Sequence, residues 1–216
     1  MPNSIGLIGG TGPEGKGLAA RFAHAGLEVF IGSRSAERGA AAAQEMEAVA
    51  SGRIRGGANA DAAKAGEVVV IAVPYGGMAE TLQVLASDVR EKVVISAVVP
   101  LLFSRARVAT LDVAAGSAAQ EAQSLLPGAR VTAAFQSLPA AHLLDVGHPI
   151  DGDVIVCADD PDALRETIVL AELIEGVRGV NGGPLANARY VEELTALILN
   201  INRIHKAETH IKLVGL

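Results

Sequence analysis

Cysteine is almost absent from this chain of 216 residues, and with Cys157 alone neither an internal disulfide nor a multi-cysteine metal cluster can form. Cys157 lies in the apolar run Val154-Ile155-Val156-Cys157-Ala158, which marks a small core residue rather than a nucleophile. Histidine offers no substitute. His205 and His210 are five apart on a predicted helix, not the four of a helical metal pair, so no metal site is expected. Tryptophan is missing and aromatics make up 3% of residues, so the core must be built from Ala, Val, Leu and Ile. Positive charge is in deficit. A net charge of -6 gives no general attraction for nucleic acid or anionic membrane. No long apolar span and no basic segment leading into an apolar one occurs, so neither membrane-span nor secretion signal is read and a cytoplasmic protein is expected.

Glycine, by contrast, is abundant, and its placement near the start is ordered. The apolar run Ile5-Gly6-Leu7-Ile8 leads into Gly10-x-Gly12-x-x-Gly15, and a helical pattern follows. That is the order of a dinucleotide-binding βαβ unit: Gly10 permits the sharp turn, Gly12 permits backbone N–H groups to approach a pyrophosphate, and Gly15 permits close helix–strand packing. In a chain with 24 glycines the same spacing also fits a flexible turn, but the flanking strand and helix favour the nucleotide site. Pro13 suits the first helical position and Gly26 its end. Glu14 brings a negative charge to the proposed phosphate site, and Lys16 is the nearest candidate to offset it.

An NAD site carries an acid about 20 residues beyond the glycines, at the end of the second strand, to bind the ribose hydroxyls. Here the strand Glu28 to Gly32 is followed by Ser33-Arg34, with Arg38 one helical turn later. A guanidinium binds phosphate oxygens bidentately and Ser donates one more hydrogen bond, so NADP is expected rather than NAD. The other reading of the two arginines is solvated residues at a helix start.

Strand-like and helix-like patterns then alternate. Strands are read at Ile5 to Gly9, Glu28 to Gly32, Ile54 to Ala58, Val68 to Val73, Val93 to Ile95 and Arg130 to Ala134, with helices at Ala36 to Ala50, Met78 to Ala86 and Ser117 to Leu126. These predict a Rossmann-type, doubly wound α/β fold with a parallel sheet over residues 1–148. A small C-terminal α/β extension, 149–216, should complete the cleft with a strand (Val154 to Cys157), a helix (Pro161 to Ile174), a Gly-rich loop (Gly179 to Pro184) and a long terminal helix. On that helix Tyr190, Leu194, Leu197, Ile198, Ile201 and Ile204 form a stripe for core or dimer packing. Chemistry is expected at the carboxyl ends of the strands.

The blocks Gly9-Gly10-Thr11-Gly12-Pro13-Glu14-Gly15, Gly32-Ser33-Arg34, Val73-Pro74, Val99-Pro100, Leu138-Pro139-Ala140-Ala141 and Gly183-Pro184-Leu185-Ala186-Asn187-Ala188-Arg189 resemble those of the NADPH-dependent oxidoreductases of the deazaflavin coenzyme F420. The resemblance runs from the first strand to the terminal helix. It implies hydride transfer between NADP(H) and coenzyme F420, a small-molecule redox coenzyme, in a cleft between the Rossmann domain and the C-terminal part, where the cofactors carry the chemistry and the protein supplies orientation. No catalytic triad is implied. By the same resemblance Gly10, Thr11, Gly12, Pro13, Glu14 and Gly15 line the pyrophosphate, Ser33, Arg34 and Arg38 the 2′-phosphate, and Val73, Pro74 and Ala140 the nicotinamide end. Val98, Val99, Pro100, Gln136, Ser137, Leu138 and Pro139 wall the deazaflavin side. Gln136 stands where some relatives have His, and an amide can hydrogen-bond the ring edge but does not exchange a proton at neutral pH. Arg105, Arg107, Arg189, Arg203 and Lys206 are candidates for the anionic tail of the deazaflavin, or simply solvated charges. Two alternatives stay open: an NADP-dependent reductase of a flavin, carbonyl or imine, for which Tyr75 is the candidate acid, and a non-catalytic NADP-binding subunit; in each case a homodimer or higher homo-oligomer is expected.

Overall fold

The computed structural model describes residues 1–50 and 52–216. The first half of the sheet is built from β1 (Ser4–Ile8), β2 (Glu28–Ser33), β3 (Ile54–Ala58), β4 (Val68–Ile71) and β5 (Val93–Ser96), joined by α1 (Pro13–His24), α2 (Ala36–Glu47), α3 (Asn59–Ala65) and α4 (Met78–Leu85). A hairpin of β6 (Leu101–Phe103) and β7 (Val108–Thr110) leads to α5 (Ala118–Leu125), β8 (Arg130–Ala133) and α6 (Ala140–Leu144). The chain ends with β9 (Gly152–Ala158), α7 (Pro161–Glu172), β10 (Val177–Asn181) and α8 (Ala188–His205).

One eight-stranded sheet has the order β10-β9-β8-β5-β4-β1-β2-β3. Its six strands from β3 to β8 are parallel and follow the 3-2-1-4-5-6 order of the doubly wound dinucleotide fold. The strand order reverses between β1 and β4, which puts a ligand crevice above their carboxyl ends. Parallel strands covered on both faces must be apolar throughout, and β4 and β5 are accordingly buried at every residue. Two apolar clusters lie against the sheet: one includes Leu18 and Phe22 of α1, Ala42 of α2 and Leu170 of α7, the other Ala62 of α3, Leu82 of α4, Ala122 of α5 and Val191 of α8.

The sheet is not parallel throughout. β9 runs antiparallel to β8 and joins it through only Thr132↔Ala158 and Ala133↔Cys157, and β10 then lies parallel to β9. Strand direction depends on which partner the folded chain offers, a property absent from hydrophobic periodicity. The Gly-rich loop expected from Gly179 also needs correction, because Gly179 to Asn181 are the last residues of β10. Glycine is used there for close approach: a Cβ on Gly179 would fall 2.8 Å from Ile168 Cγ2 of α7. The strand read through Val73 ends at Ile71, and the helix read through Ala50 ends at Glu47. Helix α3, the β6–β7 hairpin and α6 were not anticipated, each being short and stabilised by contacts distant in sequence.

Candidate active site

At the end of β1 the chain leaves the sheet through Gly9, whose φ of +71° is left-handed and whose N–H donates to Asn59 Oδ1 at 3.0 Å. Gly10 N–H then donates to Gly32 O at 3.0 Å, tying the loop to the end of β2. A Cβ on Gly15 would fall 2.5 Å from Gly10 Cα, so the first turn of α1 packs on the loop backbone. A Cβ on Gly12 would meet nothing within 4 Å. That side is open. Gly12 is the N-cap of α1 and Pro13 follows it, so the free N–H groups of the helix start and its positive dipole end are directed to the same opening, the geometry an anion needs.

Glu14 departs from that scheme. Its Oε1 is buried with no hydrogen-bond partner among the described residues, and burial pushes the carboxyl up to about 8. Lys16 does not offset it, because Lys16 Nζ is paired with Glu45 of α2. Burial thus favours the uncharged form of this carboxyl, the form that would not repel an anion at the start of α1.

At the end of β2, Ser33 is buried while Arg34 and Arg38 are exposed. Ser35 caps α2 by accepting the Arg38 N–H, which fixes the helix start next to the glycine loop. Neither guanidinium has an acidic partner among the described residues.

Across the crevice, Val73 follows β4 and its Cγ1 lies 2.4 Å from where a Cβ of Gly9 would be, so it touches the glycine loop. Pro74 is exposed and Ala140, the first residue of α6, is half-buried. Beyond β5, Val98 and Pro100 are buried and Val99 is half-buried. Gln136, Ser137 and Leu138 are buried, and Pro139 is half-buried. The chain turns sharply after β8, where Phe135 has a φ of +77° and its ring packs edge-on against Phe22 at a centroid distance of 5.9 Å. The turn delivers Gln136 to the neighbourhood of β5, where Gln136 Nε2 donates to Ser96 O at 3.0 Å. Thr195 Oγ1 of α8 donates to Gln136 O at 3.1 Å from the other side. Gln136 Oε1 and Ser96 Oγ are buried without partners among the described residues, which leaves an amide acceptor and a hydroxyl unsatisfied beside the end of β5. Neither Ser96 nor Phe135 was singled out in the sequence. A serine ending an apolar strand is the only local signal for the first, and there is none for the second.

The sequence model of the family described as NADP oxidoreductase coenzyme F420-dependent matches residues 4–100. The F420-dependent NADP reductase of Methanothermobacter thermautotrophicus is 44% identical over 210 residues, covering 94% of this chain and 90% of its own. The chain belongs to the F420-dependent NADP reductase family. Its counterpart from Methanocaldococcus jannaschii is 36% identical over 220 residues, covering 98% of each chain. A crystal structure of an Arthrobacter protein superposes with a TM-score of 0.84 at 23% identity, covering 99% of this chain and all of that one, and supports the fold. Oxidoreductase chemistry with NADP and coenzyme F420 is therefore the family's, as the glycine loop, Ser33-Arg34 and the later Pro blocks implied.

Within this family frame the remaining polar candidates sort themselves. Tyr75 Oη donates to Glu121 at 2.8 Å, and burial together with that carboxylate pushes the phenol up to about 12. Its hydroxyl is thus engaged by the Glu121 carboxylate. Arg203 is occupied in donating to Ser104 O and Arg105 O of the β6–β7 hairpin, and Arg189 pairs with Glu193 at 3.6 Å. Arg105, Arg107 and Lys206 are exposed. Cys157 is buried and its thiol is pushed up to about 11 by burial and by Glu192, which fits a core residue. No helix among the described residues is long and apolar enough to cross a membrane.

Proposed function

We propose that this protein transfers a hydride between NADP(H) and coenzyme F420 in the crevice above β1, β4, β5 and β8. The observation that carries the cofactor choice is the pair of unpaired guanidiniums, Arg34 and Arg38, beside buried Ser33 at the rim of the glycine loop. A 2′-phosphate supplies the anion they lack. Gly10, Thr11, Gly12, Pro13, Glu14 and Gly15 hold the pyrophosphate on the start of α1, and Val73, Pro74 and Ala140 seat the nicotinamide. Val98, Val99, Pro100, Gln136, Ser137, Leu138 and Pro139 form the deazaflavin wall, some by direct contact and the buried ones by backing it.

The two coenzymes supply the redox chemistry, a hydride passing between nicotinamide C4 and deazaflavin C5, with one proton taken from water when F420 is reduced. The chain's own task is placement. Gln136 presents Oε1 as an acceptor for an N–H on a ring edge, and it neither gives nor takes the proton. Residues 1–148 form the nucleotide-binding part and 149–216 the part that closes the cleft. The exposed stripe of α8, with Tyr190 61%, Leu197 55% and Ile204 74% exposed, supports a homodimer built on that helix.

The deciding experiment mixes purified protein with NADPH and oxidised F420 and follows the deazaflavin absorbance. Bleaching that depends on protein and NADPH is the expected result. Loss of the NADPH signal with a flavin or carbonyl, while the deazaflavin band persists, would sink the proposal.

A further inference from the structure

Arg21 is the one arginine of α1, and it is 2% exposed. A buried guanidinium demands partners, and burial lowers its affinity for its proton while the nearby Asp145 and Glu175 carboxylates restore it. Its hydrogen bonds do not go to those acids. Nε donates to Leu143 O at 3.0 Å, and Nη2 donates to His142 O at 2.6 Å, Asp145 O at 2.5 Å and His148 O at 2.8 Å. One side chain therefore gathers four backbone carbonyls from the end of α6 and the turn after it. No other side chain in the described residues collects as many.

A second contact joins the same two elements one turn earlier. A Cβ on Gly17 of α1 would fall 2.5 Å from Leu143 Cβ and 3.3 Å from Ala140 O, so α6 rests directly on the backbone of α1. α1 begins at the opening beside Gly12, and α6 begins at Pro139-Ala140. The two helix starts are the pyrophosphate seat and the nicotinamide seat in the function proposed above.

We infer that Arg21 is a positioning residue, which clamps α6 to α1 and thereby fixes the distance between the two ends of the bound dinucleotide. The inference rests on the proposed NADP site. A guanidinium suits this task because its planar fork reaches several carbonyls from one buried point, which an ammonium on a flexible stem does not. Misplacing reacting groups by about 1 Å can cost about a hundredfold in rate, so a clamp far from the chemistry still acts on it.

The test separates the two ends of the cofactor. In Arg21→Lys and Arg21→Met, affinity for 2′,5′-ADP, which lacks the nicotinamide, should stay within about twofold of wild type, while kcat for hydride transfer falls about tenfold or more. The emission of NADPH bound in the binary complex should shift toward that of free NADPH in the same variants. If Arg21→Met does not fold, Gly17→Ala supplies the same perturbation by pushing Leu143 outward, and it should show the same split. Parallel losses of 2′,5′-ADP affinity and kcat, or an unchanged kcat per binding site, would overturn the inference. A wild-type protein inert toward F420 would count against the proposed substrate, while the NADPH emission readout would still decide the clamp.

Discussion

Replacing Glu14 by Gln tests the electrostatics of the nucleotide site without changing its shape. The wild-type carboxyl titrates near 4.5 in the unfolded chain and at about 8 when folded, raised by burial. The folded protein therefore binds a proton that the unfolded chain releases, and stability is greatest at low pH and declines as pH rises from about 4.5 to about 8. Each pH unit in that window is worth about 1.4 kcal/mol, so at pH 7 the accumulated penalty approaches about 3 kcal/mol. The N-terminal dipole of α1 favours an anion at this position by roughly 0.5–1 kcal/mol, which lowers the net figure to about 2 kcal/mol. Glutamine carries no such penalty. Urea denaturation at pH 5 and pH 8 should show Glu14→Gln close to wild type at pH 5 and more stable by about 2–4 kcal/mol at pH 8. NADPH affinity should weaken above pH 8 in the wild type, where the carboxylate faces the pyrophosphate, and should not do so in the variant. A stability difference that is the same at both pH values would refute the reasoning.

Two further outcomes bear on the site and on assembly. Arg34→Ala should weaken NADPH by roughly 2–3 kcal/mol, as expected for a charged hydrogen-bond pair, while leaving NADH almost unchanged; equal losses measured for both cofactors would exclude Arg34 from the 2′-phosphate. Leu197→Glu with Ile201→Glu places two charges on the exposed face of α8; if that face forms the proposed dimer, sedimentation should find a dimer for the wild type and monomers for the variant, and a monomeric wild type would refute the dimer.

The parts of this molecule that were readable in advance are those governed by local rules. Val68-Val69-Val70-Ile71 read as a strand buried on both faces, and the glycine loop was placed between a strand and a helix by the patterns that flank it. What escaped depends on partners far along the chain. The β6–β7 hairpin exposes Leu102 and Phe103 and has no periodicity to announce it; it exists because Asn200 of α8 accepts from Val108 N and donates to Val108 O. The reversal of β9 depends on two residue pairs with β8, and the orientation of Gln136 on a carbonyl of β5 and a strained Phe135. Lys16 illustrates the limit best: it was the nearest cation to offset the charge of Glu14, yet its ammonium pairs with Glu45 of α2.

The bond from Asn200 to the hairpin spans 92 residues, and it sets an order of events on the ribosome. The glycine loop can close once β1 to β4 have emerged, since its own partners Gly32, Asn59 and Val73 all lie in the early part of the chain. The segment after β5 has to wait, because the helix that pins it is among the last parts synthesised. A nascent chain therefore acquires the means to grip a nucleotide well before it completes the wall against which a second coenzyme would stack, and premature termination within α8 should leave a nucleotide binder that cannot turn over.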